Sequence, residues 1–171
     1  MTPLAALHGP DLHGPPRLIR ESSGPIAECP SCGAHMALGT EGATWTIHSA
    51  RDVADRLMLQ MGGLEREELV VLLLNAKNVV IAQETVYKGN VSAALVKVGE
   101  VFTEAIRRCV PRVMVVHNHP SGDLTPSADD LHLTATLIAA GRLLDVEVLD
   151  HLIIGRSGYV SLRSTGTVFD R

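Results

Sequence analysis

The chain has 171 residues, 46% of them hydrophobic and 3% aromatic, with a formal net charge of -4. That apolar fraction supports a folded core and excludes a disordered chain, and the length fits one domain with modest extras. An acidic balance with few aromatic rings weighs against a protein that coats nucleic acid or stacks single-stranded bases.

Residues 1–44 stand apart as an irregular N-terminal arm, rich in Pro and Gly and without periodicity. They open without a basic segment followed by an apolar run, and the longest apolar run of the chain, "LVVLLL" at residues 69–74, is too short to span a bilayer. Three cysteines, two of them in a CxxC, fit a reducing compartment better than a disulfide scaffold. The expectation is a cytoplasmic protein with no membrane partner. Within the arm, "ECPSCGAH" sets Cys29 and Cys32 around Pro30 and Ser31, like one knuckle of a zinc ribbon. A structural zinc needs four ligands, and a second CxxC is missing. His35 is the candidate third ligand of this second, structural zinc. His48, His13 or a residue of a neighbouring subunit could supply the fourth. A redox or exposed thiol pair and a plain structural turn are the competing readings.

From Trp45 the texture changes to punctuated elements. "HSARDVADRLMLQMGG" reads as a helix, with Ser49 as N-cap, Asp52 three residues on, Val53, Leu57, Met58 and Met61 on one face, and Gly62–Gly63 as the stop. "ELVVLLLN" reads as a strand buried on both faces, turned by "AKN" into a returning strand "VVIAQETVY". "KVGEVFTEAIRRCV" is a second helix ended by Pro111, with Cys109 as a small core residue on its apolar face. "RVMVVH" is another buried strand. Thr125 is placed to cap a third helix with Pro126 at its first position, running through "SADDLHLTATLIAAGRLLD" and apolar on two sides. "VEVLDHLIIG" and "YVSL" follow as strands joined by "RSG". Strands alternating with helices give an α/β or α+β fold with helices flanking one sheet.

The chemistry concentrates in "HNHPSGDLTPSADD" at residues 117–130. His117 and His119, two apart at a strand end, project to one side and can grip one ion. Asp130, early in the next helix, completes three ligands, and a catalytic zinc keeps three protein ligands and an open position for water. Such an ion lowers the pKa of its water to about 7. Asp123 and Asp129 are competing carboxylates, but Asp129 lies about 100° round the helix from Asp130, so only one of those two faces the ion. The bland alternative is a polar loop with exposed histidines. The letters "HNH" match the name of a nuclease class only by coincidence.

These residues resemble the JAMM (MPN+) metalloprotease motif: His-x-His-Pro, six residues, Ser, two residues, Asp. His117, His119, Pro120, Ser127 and Asp130 fill every fixed position. Asn118, the "PSG" that follows and "LLDVEVLDHLIIG" downstream resemble the bacterial branch, the RadC-like JAB domain proteins, over residues 46–170. The resemblance implies a JAB/MPN fold, α/β with a single mixed β-sheet flanked by helices, of cytidine-deaminase-like architecture, over residues 45–171. It also implies a zinc-dependent hydrolase of amide or isopeptide bonds, with a peptide or protein substrate. The family further has a glutamate at the start of a buried strand, as general base. Glu68 abuts the apolar run and is the choice here, with Glu65 and Glu67 as rivals. Val71 and Asn75 depart from the family's small and Gly positions. Ser127 would stabilise the oxyanion, or simply satisfy the helix start. Asp150 and His151 are expected in supporting or structural roles, and His132 as an ordinary polar position. The competing functions are a DNA-repair or nuclease-like accessory, for which only Arg107 and Arg108 offer adjacent cations, and a non-catalytic scaffold. The arm lacks the helical N-terminal region of the family's longer members.

Overall fold

A computed structural model describes residues 45–89 and 96–169 with their side chains, and residues 17–21, 24–28 and 35–37 by backbone alone. The chain separates into two compact units, Met1–Ala43 and Thr44–Arg171.

The first unit is not wholly irregular. Strands β1 (Arg17–Glu21), β2 (Gly24–Glu28) and β3 (His35–Ala37) form an antiparallel three-stranded sheet in that order. The Pro and Gly content conceals short apolar segments, with Leu18 opposite Ala27 and Ile19 opposite Ile26. Strands of three to five residues are too short for a periodicity to register. Cys29, Cys32 and His13 lie outside the described residues; His35 opens β3.

The second unit is a six-stranded mixed sheet with three helices. Its elements are β4 (Trp45–Thr46), α1 (Ala50–Met61), β5 (Glu67–Leu74), β6 (Val79–Gly89), α2 (Val98–Arg107), β7 (Arg112–Asn118), α3 (Ala128–Leu144), β8 (Glu147–Ile154) and β9 (Tyr159–Ser161). The strand order is β4-β6-β5-β7-β8-β9. Only β7 and β8 run parallel, joined by the α3 crossover. This is the mixed α/β sheet expected from the sequence. Among the described residues, no helix is long and apolar enough to cross a membrane.

The continuous apolar run of β5 is explained by its central position. Val70, Leu72 and Leu74 pack on one face with Val53, Leu57 and Met61 of α1. Leu69, Val71 and Leu73 pack on the other with Phe102 of α2 and Leu133 and Leu137 of α3. Helix α1 starts as expected, on a reciprocal capping box between Ser49 and Asp52, and Gly62 caps its end.

Two expected details are corrected. Helix α3 starts at Ala128 with Ser127 as N-cap, not at Pro126 with Thr125 as cap. Capping-box geometry requires an acid three residues after the cap; Ser127 has Asp130 there, whereas Thr125 has Ala128. Helix α2 stops at Arg107, and Cys109 is exposed rather than in the core. Cys109 takes a left-handed conformation (φ 50°), and the Val110 N–H reaches the Ala105 carbonyl at 2.9 Å. This closes a Schellman motif. The reversal breaks the helical phase, turns the thiol outward and gives the buried place to Val110.

Asn118, at the end of β7, ties the site end of the sheet together. Its Oδ1 accepts the Glu68 N–H at 2.8 Å, and its Nδ2 donates to the Arg66 carbonyl at 3.0 Å. The side chain is buried. Replacing it by Ala strands both backbone groups, so Asn118→Ala lowers stability by about 2 kcal/mol, to be read from the urea midpoint at unchanged m-value.

Candidate metal centre

His117 belongs to β7, and the ladder runs one step further because the His119 N–H donates to the Ile154 carbonyl at 2.8 Å. Strand alternation therefore persists through residue 119 and sends both imidazoles to the face covered by α2 and α3. The chain then turns sharply. The Gly122 N–H donates to the His119 carbonyl at 3.0 Å, with Gly122 at φ 82°. The turn returns the chain so that the first turn of α3 sets Asp130 against the strand end.

The three groups meet. His117 Nε2 lies 3.0 Å from His119 Nε2 and 3.2 Å from Asp130 Oδ1, and His119 Nε2 lies 3.6 Å from Asp130 Oδ2. One ligand atom from each falls within 4.8 Å of the others, and among the described residues this is the one such group. Two ring nitrogens and a carboxylate oxygen around one point suit a borderline divalent ion. His119 Nδ1 is 2.6 Å from the Asp123 carbonyl, which can only accept. Its proton is thus fixed at Nδ1 and Nε2 is left for an ion. The residues fit a metal.

Asp123 contributes that carbonyl. Its carboxylate instead accepts the Thr125 N–H at 2.9 Å, and Asp129 is exposed. Neither competes with Asp130. Ser127 orients Asp130. Its N–H and its hydroxyl donate to Asp130 Oδ2 at 2.8 and 2.6 Å, leaving Oδ1 toward His117. Burial opposes the Asp130 charge. Hydrogen bonds from His117 and His119, the His117 charge and the Ser127 hydroxyl overcome it and hold the carboxyl far below the usual carboxylate range. The hydrogen bond to Asp130 holds the His119 imidazole above its ordinary value against the effect of burial. The Asp123 carbonyl and the charges of Asp130 and Glu67 add to the same shift.

Behind His117 stands His151 of β8, fully buried, its Nε2 2.8 Å from His117 Nδ1. Burial pushes its pKa well below that of free imidazole, so it is neutral. His151 Nδ1 is 2.6 Å from the hydroxyl of Thr134, which donates to the Asp130 carbonyl at 2.6 Å. Thr134 was not singled out in the sequence; the available signal is its place one helical turn after Asp130, on the same face. Asp150 is structural, as expected: its carboxylate accepts from the His151 and Arg163 N–H groups and from the Ser161 hydroxyl. His132 is exposed.

The candidate glutamates Glu67 and Glu68 divide between the two faces of β5. Leu69 of β5 pairs with His117 of β7, so the two side chains share a face. Residues alternate along β5. Glu67, two before Leu69, therefore lies on the His117 face, and Glu68 lies on the opposite one. Glu68 is there occupied by Lys88, its cross-strand neighbour on β6, at 3.1 Å. Adjacency to the apolar run favoured Glu68; strand parity favours Glu67, whose charge is felt at His119. Glu65 is exposed, ahead of β5. The adjacent cations Arg107 and Arg108 are both paired with Glu104, at 2.9 and 3.0 Å, which diminishes them as a phosphate site.

The family model of the RadC-like JAB domain matches residues 47–167. A UPF0758 protein of Chloroflexus aggregans is 49% identical over 138 residues, covering 81% of this chain and 60% of the relative. One of Roseiflexus castenholzii is 44% identical over 137 residues, 80% of this chain and 59% of the relative. One of Staphylococcus haemolyticus is 48% identical over 120 residues, 70% of this chain and 53% of the relative. The chain thus spans about 60% of the length of these curated relatives from Chloroflexus and Roseiflexus.

The raised His119 pKa has a consequence for binding. In the metal-free protein the ring keeps its second proton to a higher pH than free imidazole, and an ion must displace it from Nε2. Zinc affinity, followed by chelator competition, falls by about tenfold per pH unit as the pH drops below that raised value, and levels off above it. Asp130→Ala, lacking the anionic ligand, loses bound metal when metal content is measured.

Proposed function

The chain belongs to the RadC-like JAB domain family, and from that premise we propose that it is a zinc-dependent hydrolase acting on amide or isopeptide bonds of a peptide or protein. The observation that carries this reading is the convergence of His117 Nε2, His119 Nε2 and Asp130 Oδ1 on one point at the sheet end. When bound there, zinc supplies Lewis acidity toward a water and toward the scissile carbonyl.

The remaining work falls to the chain. Glu67, on the His117 face of β5, takes a proton from the attacking water and passes it to the departing nitrogen. Ser127 is exposed, and its backbone N–H already anchors Asp130 Oδ2. Its hydroxyl can therefore turn to the developing oxyanion without releasing the carboxylate. Asp123 keeps His119 in the tautomer that leaves Nε2 bare. Glu68, paired with Lys88, supports the strand and does no chemistry.

The test compares zinc-loaded wild type, Glu67→Gln and Glu68→Gln on peptide, isopeptide and DNA substrates, with metal content measured for each. Expected are peptide or isopeptide hydrolysis by wild type, a loss of about 100-fold or more in kcat for Glu67→Gln with zinc retained, and near-normal rates for Glu68→Gln. DNA cleavage alone would replace the amidase reading with the nuclease one. The reverse order of the two variants would return the base to Glu68.

A further inference from the structure

A histidine that binds an ion through Nε2 must carry its own proton on Nδ1, and something must keep it there. For His119 that is the Asp123 carbonyl. For His117 the partner of Nδ1 is another imidazole, His151, which by itself dictates nothing, because an imidazole nitrogen can donate or accept. The polarity must come from further along.

The geometry points to Thr134. We propose that Thr134 and His151 form a directional hydrogen-bond relay that sets the tautomer of His117, and that both are positioning residues for the metal site. The relay starts at the Asp130 backbone carbonyl, which can only accept. Thr134 Oγ1 lies 2.6 Å from it and gives its single proton there. The same oxygen then faces His151 Nδ1 at 2.6 Å as an acceptor, so the His151 proton sits on Nδ1. His151 Nε2 is left with a lone pair, and at 2.8 Å it accepts from His117 Nδ1–H. His117 Nε2 is then the atom left for an ion, 3.2 Å from Asp130 Oδ1. The circuit begins at the main chain of Asp130 and ends beside its carboxylate.

Burial strengthens the argument. Thr134 and His151 are both at 0% relative exposure, and His117 is at 5%. No water need be invoked, and none of the buried side-chain nitrogens and oxygens among the described residues lacks a partner. A packing residue in a sheet–helix core would more simply be apolar, as Leu133 and Leu137 of the same helix are. Two polar side chains from different elements, aligned end to end on the blind side of a ligand, are what a tautomer lock requires.

The relay rests on the metal reading for its purpose but not for its existence, so the test has two readouts. The first is zinc affinity by chelator competition on wild type, Thr134→Val, Thr134→Ser, His151→Leu and His151→Gln. Thr134→Val keeps the shape and removes the hydroxyl. It is expected to weaken binding by about 10–100-fold, as is His151→Leu. Thr134→Ser and His151→Gln, which still offer a donor and an acceptor in line, are expected to restore most of the affinity. The second readout is long-range proton–nitrogen NMR on the zinc-free protein at mildly alkaline pH. It is expected to show His117 protonated at Nδ1 in wild type and a tautomer mixture in Thr134→Val. Zinc binding by folded Thr134→Val equal to wild type, or a wild-type His117 protonated at Nε2 and not at Nδ1, overturns the relay. If wild type binds no zinc, the metal reading fails while the NMR result still decides the relay.

Discussion

Each of the three candidate ligand side chains has two polar atoms, and in each one of them is already committed. His119 gives Nδ1 to the Asp123 carbonyl, His117 gives Nδ1 to His151, and Asp130 gives Oδ2 to Ser127. The atoms left over are two imidazole Nε2 and one carboxylate oxygen, and they face a common point. The site is thus defined by what surrounds the ligands rather than by the ligands alone. Fixing these orientations in advance removes much of the ordering cost that an ion would otherwise incur. Asp130 is the hinge of the arrangement, since its carboxylate also closes the capping box of α3. The helix cannot start elsewhere without moving the ligand, and the ligand cannot rotate without uncapping the helix.

The same groups are stable without an ion because protons take its place. His119 holds its proton more tightly than a free imidazole, chiefly through its hydrogen bond to Asp130. Asp130 stays ionised despite burial because the cluster and the Ser127 hydroxyl stabilise its charge. His151, one layer deeper, has no carboxylate partner and stays neutral. Charge is therefore confined to the cluster mouth, and the layer behind it is polar but uncharged. A cation entering the cluster exchanges with protons instead of meeting an unscreened buried anion, which limits the desolvation cost of the empty site.

Much of this was legible in the sequence, and the parts that were not fail for definable reasons. The order of strands and helices from Trp45 onward, the burial of β5 on both faces and the grouping of His117, His119 and Asp130 follow from patterns within one segment. The errors arise where a local signal competes with a neighbour equally plausible in sequence. Thr125-Pro126 and Ser127 both read as helix starts; only the acid three residues on separates them. Cys109 continues the apolar face of α2 until a left-handed residue ends the helix two positions early. Glu68 touches the apolar run and Glu67 does not, yet the pairing of Leu69 with His117 turns Glu67 to the metal side. In a strand, being nearest in sequence and being on the right face are opposite properties for adjacent residues.

The layer behind the ligands is less legible still. Thr134 and His151 lie on a helix and a strand seventeen residues apart, and each alone reads as an ordinary core residue. Their joint meaning depends on the direction of three hydrogen bonds, and direction is set at the inner end by the Asp130 carbonyl, which cannot donate. A sequence records which donors and acceptors exist. It does not record which acceptor has no choice, and that group decides where every proton in the chain behind His117 must sit. The α3 crossover makes this possible. By running β8 parallel to β7, it sets His151 beside Val115, one alternation before His117 on the same face, with α3 above both. An antiparallel neighbour joined by a short hairpin would have left no helix over this end of the sheet to carry both Asp130 and Thr134.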